Sequence, residues 1–210
     1  MELPRRRIIM ITIIDYGVGN LGSIENMIKK AGYKSLITSD ITEIKKAIKL
    51  ILPGVGAFNN GIKHLKDSGL IEVLNQKVLV EKTPILGICL GMQLMTKSSE
   101  EGTVSGLGWI DAQTKRFVSD ELKIPHMGWN IVKHQKISKL FDESYSEKRF
   151  YFVHSYYVSC NNKNDILTKT PYGHDFISSF EKDNIIGAQF HPEKSHKFGI
   201  NLIRNFVKNY

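Results

Sequence analysis

Cysteine is scarce in this chain of 210 residues, which has only two, Cys89 and Cys160. Two cysteines are too few for the disulfide framework that holds small secreted domains together. Their scarcity excludes that class of protein and favours a reducing compartment. We therefore expect a cytoplasmic protein without structural disulfides.

Long apolar runs are also lacking. The run over residues 8–14 spans seven residues, whereas a membrane-spanning helix needs about 20. Arg5-Arg6-Arg7 before this run resembles the start of a secretory signal, but no small-residue cleavage site follows and Asp15 ends the run. We expect a buried first strand over residues 8–14, preceded by a short extension over residues 1–7.

Beyond Arg5-Arg6-Arg7, the lysines are scattered along the chain, although the net charge is +8. Lysines alternate with acidic residues, as in Glu43-Ile44-Lys45-Lys46, and they are not interleaved with aromatic residues. A nucleic-acid-binding face shows clustered basic residues instead. We expect either a lysine-rich solvated surface or a basic face that docks on an acidic partner protein.

Strand and helix patterns alternate through the first half of the chain. Apolar runs predict buried strands over residues 8–14, 50–52 and 84–88. Helices are predicted from Ile24 to a stop at Gly32, from a capping box at Asp40 through Ile48, and over residues 71–78. This succession predicts a parallel sheet with helices on both faces.

The second half has a different pattern of residue types. Aromatic and β-branched residues predict a strand over residues 150–158 and a hairpin of residues 176–180 and 185–190, followed by an amphipathic helix around residues 202–207. No linker separates the halves. The sequence therefore predicts one α/β domain over residues 8–210, with a mixed, mostly parallel sheet, flanking helices and late antiparallel strands.

Cys89 is the most informative residue. An apolar strand pattern ends at Cys89, Gly87 and Gly91 flank it, and a helix-compatible stretch over residues 90–97 follows at once. This is the cysteine form of the strand–turn–helix nucleophile elbow. The glycines permit a sharp turn, and the N-terminus of the helix favours thiolate over thiol. Cys89 is a candidate nucleophile; the alternative is a small buried core cysteine.

His191 is the candidate base among seven histidines. It follows the apolar pattern of residues 185–190, and open α/β sheets place their sites where strands end. Glu193 lies two residues on, and Pro192 restricts the chain between them. The carboxylate can bind one imidazole nitrogen while the other faces Cys89. This predicts a Cys89–His191–Glu193 triad; the alternative for His191 is an ordinary surface histidine.

A tetrahedral intermediate needs backbone donors aimed at its oxyanion. The N–H of Leu90 is one natural donor, and the turn containing Gly54 and Val55 is a candidate for the second. A second glycine-rich run, Asp15-Tyr16-Gly17-Val18-Gly19-Asn20, lacks the third glycine of a dinucleotide-binding fingerprint because Ser23 stands there. We therefore expect no nucleotide cofactor.

Six runs together carry a family resemblance. The chain resembles the class I glutamine amidotransferases, and among them the glutaminase subunit of imidazole glycerol phosphate synthase, an enzyme of histidine biosynthesis. The matching runs are Asp15-Tyr16-Gly17-Val18-Gly19-Asn20, Pro53-Gly54-Val55-Gly56-Ala57-Phe58, Gly87-Ile88-Cys89-Leu90-Gly91-Met92-Gln93, Pro125-His126-Met127-Gly128-Trp129-Asn130, Tyr151-Phe152-Val153-His154-Ser155-Tyr156 and Gln189-Phe190-His191-Pro192-Glu193-Lys194-Ser195.

The resemblance implies that Cys89, His191 and Glu193 hydrolyse glutamine to glutamate and ammonia, without a cofactor or metal. It implies that glutamine is bound by Gln93, Glu101 and Ser155. It also implies a heterodimer in which a (β/α)8-barrel synthase subunit receives the ammonia through a closed channel and makes imidazole glycerol phosphate and AICAR. The residues implied at that interface are Asn20, Trp129, Tyr151 and Lys194.

Several alternatives stay open. Gly106-Leu107-Gly108-Trp109-Ile110 and residues 149–157 resemble a paralogous branch that supplies ammonia for sugar-nucleotide amidation in surface-polysaccharide (lipopolysaccharide, O-antigen) synthesis. A cysteine peptidase or γ-glutamyl hydrolase could use the same elbow. A non-catalytic binding module would not need an intact triad. Trp129 and Tyr151 could be plain core residues, and His154 and Cys160 are read as structural.

Overall fold

The computed structural model describes residues 10–118, 122–142 and 146–210. The extension over residues 1–7 and the first two residues of the predicted first strand lie outside the described residues. In chain order the strands are β1 (Met10–Ile14), β2 (Lys34–Thr38), β3 (Leu50–Leu52), β4 (Ile85–Ile88), β5 (Ser98–Ser99), β6 (Ala112–Arg116), β7 (His126–Ile131), β8 (Lys133–His134), β9 (Arg149–His154), β10 (Tyr156–Cys160), β11 (Ile166–Tyr172), β12 (His174–Lys182) and β13 (Ile185–Ala188).

The α-helices are α1 (Leu21–Lys30), α2 (Ile41–Lys46), α3 (Phe58–Asp67), α4 (Leu70–Asn75), α5 (Leu90–Leu94) and α6 (His196–Asn209). A π-helical turn at Gln76–Val80 extends α4, and 3-10 turns occupy Lys163–Asp165 and Pro192–Lys194. No helix in the described part of the chain is long and apolar enough to cross a bilayer.

The main sheet has its strands in the order β2-β1-β3-β4-β13-β12-β10-β6-β5, with β11 and β8 joined beside β12. The strands β2, β1, β3, β4 and β13 are parallel to one another, whereas β12 pairs antiparallel with β13, β10 and β11. A separate ribbon pairs β7 with β9 antiparallel. The prediction of a largely parallel sheet with late antiparallel strands is confirmed.

Alternate residues of the central strands enter two different apolar layers. Leu50 and Leu52 of β3 belong to the layer that contains helices α3 and α4, whereas Ile51 belongs to the layer that contains α1 and α6. All three side chains are fully buried. A strand covered on both faces has no solvent side, which explains why its sequence is a continuous apolar run.

The structure corrects three predicted boundaries. Asp40 caps α2 by accepting from the Thr42 N–H at 2.7 Å, but the helix ends at Lys46 instead of Ile48 because Ala47 is already extended. The helix after Cys89 ends at Leu94 instead of residue 97, since the chain then turns into β5. The strand predicted to end at residue 190 ends at Ala188.

The segment 150–158, predicted as one strand, is two. Strand β9 belongs to the two-stranded ribbon and β10 to the main sheet, with a break at Ser155 between them. Strand β2 and helix α3 had no counterpart in the prediction. The segment of β2 mixes lysine, serine and threonine with two apolar residues, and a hydrophobicity pattern of that kind does not mark a buried strand.

The sheet order places two loop segments side by side. Strands β4 and β13 are parallel neighbours, with Ile88 opposite Ala188. Both strands therefore end at the same edge of the sheet. Cys89 follows β4 directly and His191 follows β13 after two residues, so residues a hundred positions apart in sequence meet at one edge.

Candidate active site

Cys89 occupies a strained turn between β4 and α5, with φ +53° and ψ −110°. A side chain at Gly91 would place its Cβ 1.9 Å from the carbonyl oxygen of Leu52, and one at Gly87 would place its Cβ 2.9 Å from the backbone of Gly91. Neither position has room for anything but hydrogen. The turn has the sharp strand–turn–helix geometry that the spacing of the glycines predicted, and its backbone strain is of the kind that collects at functional sites. The role of Cys89 as nucleophile stays a prediction.

His191 and Glu193 form a buried pair beside the elbow. The Nδ1 atom of His191 lies 2.7 Å from Oε1 of Glu193, and both side chains are 2% exposed. The backbone N–H of Cys89 donates to the carbonyl oxygen of Ala188 at 2.8 Å, which ties the elbow to the strand that carries His191. The carboxylate therefore orients the ring by accepting a hydrogen bond from its Nδ1–H, and Nε2 stays available for proton transfer.

The surroundings of His191 favour its protonated form. Burial alone lowers the pKa of His191, but hydrogen bonding to Cys89 and Glu193 and the negative charges of both groups raise it to about 10. The Nε2 atom is buried, and its contact with Cys89 does not have the geometry of a regular hydrogen bond. An unpaired, protonated Nε2 beside a sulfur is suited to protonate a leaving group.

The glycine-rich turn packs directly on the elbow. A Cβ on Gly54 would lie 2.7 Å from the backbone nitrogen of Gly91, and the hydroxyl of Tyr16 donates to the Pro53 carbonyl at 2.6 Å. Burial and the charge of Cys89 raise the pKa of Tyr16, so its hydroxyl stays protonated as a donor. Val55 is 44% exposed and lines the cavity described next. The oxyanion role of Gly54, Val55 and Leu90 stays a prediction.

An open cavity of about 480 Å³ lies over the elbow. It has room for a substrate of amino-acid size. The predicted site residues that line it are Val55, Cys89, Leu90, Gln93, Glu101, Ser155, His191 and Lys194. The structure thus brings together at one cavity the predicted nucleophile, the predicted base and all three residues predicted to bind glutamine.

Two of those three residues also make internal hydrogen bonds. The Oε2 atom of Glu101 accepts from the Phe58 N–H at 2.8 Å and so satisfies the N-terminus of α3. The side-chain nitrogen of Gln93 donates to the Tyr156 carbonyl at 3.2 Å and to Oε1 of Gln189 at 3.0 Å. Ser155 lies at the break between β9 and β10. Binding of glutamine by these residues stays a prediction.

Three of the four predicted interface residues form a cluster beside the triad. Lys194 lies over the ring of Tyr151, with 5.5 Å from Nζ to the ring centroid, and the Tyr151 ring meets Trp129 edge-on at 6.3 Å. The indole of Trp129 also stacks on His196 and is 46% exposed, so a core position for Trp129 is wrong. Asn20, the fourth, is exposed just before α1.

Sequence reasoning missed Gln189 as a site residue. Its side chain is fully buried and its Nε2 lies 3.7 Å from the Cys89 sulfur. The signals in the sequence were its place at the start of the sixth matching run and its polar side chain in an otherwise apolar run that leads to His191. Sequence reasoning also treated His126 only as part of a motif, whereas it pairs with His154 at 3.0 Å on the cavity's flank.

A metal has no evident place at this site. Among residues 10–118, 122–142 and 146–210, no group of three or more His, Cys, Asp and Glu side chains is placed to hold one. Cys89 and Cys160 are both free thiols. Burial raises the pKa of Cys160 to about 12, which leaves it protonated and unreactive at neutral pH.

A cysteine at a sharp strand–helix turn beside a buried His–Glu pair on an α/β sheet is an arrangement typical of triad hydrolases, and comparison with known proteins gives the family of this chain. The family model of class I glutamine amidotransferases matches residues 12–210. The chain therefore belongs to the class I glutamine amidotransferases.

Relatives within this family are similar over nearly their whole length. The chain is 60% identical over 200 residues to a protein of Methanococcus maripaludis named imidazole glycerol phosphate synthase subunit HisH 2, covering 95% of this chain and 99% of the relative. It is 48% identical, with the same coverage, to a protein of that name from Pseudomonas aeruginosa. It is 45% identical to the subunit HisH of Leptospira interrogans, covering 94% and 99%.

Solved structures share the fold at lower sequence identity. A glutamine amidotransferase of Thermotoga maritima superposes with a TM-score of 0.64 at 20% identity, covering 90% of this chain and 77% of the other. The glutaminase domain of a Trypanosoma brucei CTPS, with bound acivicin, gives 0.63 at 16% identity, covering 95% and 94%.

Proposed function

We propose that this chain is the glutaminase subunit of an imidazole glycerol phosphate synthase and acts in histidine biosynthesis in the cytoplasm. One observation carries the chemistry: a cysteine on a strained elbow lines the same cavity as a histidine whose Nδ1 lies 2.7 Å from a buried glutamate. Family membership and the names of relatives at 45–60% identity support the assignment. We take residues 8–210 as one catalytic domain.

The proposed reaction has two steps. In the first, the Cys89 sulfur attacks the side-chain carbonyl carbon of glutamine, the bond to nitrogen breaks, and His191 gives its proton to the departing ammonia. In the second, His191 takes a proton from water, and the resulting hydroxide displaces the sulfur to release glutamate. Glu193 holds His191 in orientation throughout, and backbone N–H groups near Leu90 and Val55 stabilise the oxyanion.

The released ammonia needs an acceptor. We therefore propose that a synthase subunit of (β/α)8-barrel type docks over the cluster of Trp129, Tyr151 and Lys194 and receives ammonia through a closed channel. The exposed aromatic surface beside the catalytic histidine supports this placement, since aromatic side chains are enriched at the centres of interfaces. The charge of +8 suits an acidic partner face.

The test combines the purified chain with the histidine-pathway cyclase subunit and its ribonucleotide acceptor. Glutamate release should be slow for the chain alone and strongly stimulated by partner plus acceptor, and the Cys89→Ser variant should be inactive. A glutamine-analogue electrophile should label Cys89, and glutamine should block the labelling. Fast turnover without any partner would contradict the proposed coupling, and cleavage of peptides or γ-glutamyl folates would favour the hydrolase alternative.

A second candidate is the paralogous subunit that supplies ammonia for sugar-nucleotide amidation. The names of two relatives carry the number 2, which is expected where an organism holds more than one subunit of this type. The triad chemistry is the same in both candidates, and only the partner and acceptor differ. Stimulation by a sugar-nucleotide amidating partner, with none by the histidine-pathway cyclase, would establish this second function.

A further inference from the structure

We infer that Gln189 is a positioning residue that presents a side-chain N–H to the sulfur of Cys89. Its carboxamide is fully buried, and Nε2 lies 3.7 Å from Sγ, within the range of a hydrogen bond to sulfur. The inference deepens the proposed function, since it rests on Cys89 being the nucleophile. It adds Gln189, a residue outside the triad, as a hydrogen-bond donor to the sulfur.

The direction of this hydrogen bond follows from a chain of contacts that starts at a main-chain carbonyl. The carbonyl oxygen of Tyr156 can only accept, so the Gln93 atom 3.2 Å from it must be the amide nitrogen. The same nitrogen lies 3.0 Å from the Gln189 side chain. The Gln189 atom that faces it must therefore be the oxygen.

With its oxygen turned to Gln93, Gln189 can only turn its NH₂ group to Cys89. Flipping Gln189 alone would set two amide donors against each other, and flipping both residues would set an oxygen of Gln93 against the Tyr156 carbonyl. The relay from Tyr156 through Gln93 and Gln189 to Cys89 has one consistent arrangement. A donor at the sulfur favours the anion, because hydrogen bonding to the charged form stabilises it.

The backbone holds donor and sulfur in register. The N–H of Gln189 donates to the Ser178 carbonyl at 2.9 Å, and the N–H of Cys89 donates to the carbonyl of Ala188, the residue before Gln189, at 2.8 Å. Helix α5 is only five residues long, so its dipole is that of little more than one turn. A side-chain donor fixed to the neighbouring strand adds to the stabilisation that so short a helix supplies.

The test measures alkylation of Cys89 by iodoacetamide against pH in the full chain, with peptide mass spectrometry to separate it from Cys160. This reagent is small and neutral and needs neither glutamine nor a partner. Gln189→Leu should move the pH midpoint of alkylation upward by about one unit and slow the reaction at neutral pH by about tenfold. Gln189→Glu, which replaces the donor with a negative charge, should move it further.

Ser178→Ala is the matched control. Ser178 is buried on the adjacent strand and its hydroxyl bonds Thr168 at 2.8 Å, with no contact to the sulfur. This variant should leave the midpoint unchanged. A folded Gln189→Leu variant with the wild-type midpoint would overturn the inference.

Gln93→Leu provides a second route if the Gln189 variants do not fold. It removes the contact that orients the Gln189 carboxamide, so it should raise the midpoint by a smaller amount. An unchanged midpoint in folded Gln93→Leu would also overturn the relay. The alkylation midpoint is measured independently of glutamate release. If the chain shows no glutaminase activity, the proposed function is wrong but a midpoint shift still supports the relay. If the chain is active but the midpoint does not shift, the relay is wrong and the proposed function stands.

Discussion

The end of β13 and the β7–β9 ribbon both bury histidines, but they favour opposite protonation states. His191 at the end of β13 is 2% exposed and its pKa is raised to about 10, because Cys89 and Glu193 outweigh the cost of burial. His126 and His154 in the ribbon are 3% and 6% exposed. Burial without a carboxylate lowers their pKa values to about 4 and about 3.

The ribbon pair is satisfied as two neutral rings. The Nδ1–H of His154 donates to the Tyr156 carbonyl at 2.7 Å, so its Nε2 accepts from Nδ1–H of His126 at 3.0 Å. The Nε2 atom of His126 in turn accepts from the amide of Asn130 at 3.3 Å. A proton added to either ring would set two donors against each other. The comparison teaches that partners, more than depth of burial, decide whether a buried histidine carries charge.

The largest expected effect comes from replacing His191, the charged histidine of the comparison. His191→Gln should lower glutamine hydrolysis in the partner-stimulated enzyme by about 10³–10⁴-fold, because the leaving ammonia then has no proton donor. His126→Phe, in the ribbon, should cost activity tenfold at most. Glutamate release measured at saturating glutamine tests both. Equal losses in the two variants would show that burial, not chemistry, makes His191 important.

Removing the carboxylate that distinguishes the two environments should have the next largest effect. Glu193→Gln should reduce glutamine hydrolysis by about 10²-fold and lower the pKa of His191, because the ring loses a negative neighbour. NMR titration of the His191 ring should then show its midpoint moving from near 10 toward neutral pH. An unmoved midpoint would mean that Cys89 alone holds the proton on His191.

The outer face of the ribbon offers a third contrast. Trp129 is 46% exposed on the same strand as buried His126, so Trp129→Ala should weaken partner binding about 10- to 100-fold with little change in melting temperature. Trp109→Phe is the matched control, since Trp109 is 4% exposed and its indole N–H bonds Asn75 at 2.7 Å. It should lower stability and leave partner binding intact. Titration calorimetry and thermal melts separate the two effects.

The smallest expected effect concerns the neutral pair. Between about pH 6.5 and pH 4, His126 is protonated in the unfolded chain but stays neutral in the folded chain. The free energy of unfolding should therefore fall as the pH falls. His126→Phe should remove on the order of 1 kcal/mol of that dependence, after allowance for partial solvent screening. Urea denaturation across this pH range measures it.

His64→Gln serves as the control for that experiment. His64 is exposed on α3, so this variant removes a histidine without changing the buried ribbon pair. A wild-type slope in His126→Phe would mean that the ribbon histidine is not held neutral by burial. His191 has the opposite sign: its contribution is complete below pH 6.5 and is lost as the pH rises toward 10.

Much of the fold and the heart of the site could be predicted from local patterns. Gly87 and Gly91 around Cys89 predicted the sharp turn, because a Cβ on Gly91 would clash with the Leu52 carbonyl and one on Gly87 with the backbone of Gly91. A continuous apolar run predicted β3 because that strand is covered on both faces. Strand β2 and the break at Ser155 escaped prediction. The pairing of β9 with β7 instead of the main sheet depends on contacts far apart in sequence, which no local pattern encodes.

The amino-acid sequence by itself determined which atoms are available to react: one cysteine in a turn that only glycine neighbours permit, and a histidine two residues from a glutamate. Tertiary structure alone decided that they meet, because the order of the strands sets β4 beside β13. It also decided which histidine is charged and that Gln189 faces the sulfur with its NH₂ group. Charge and hydrogen-bond direction depend on the atoms that surround a group in space, and folding brings those atoms together.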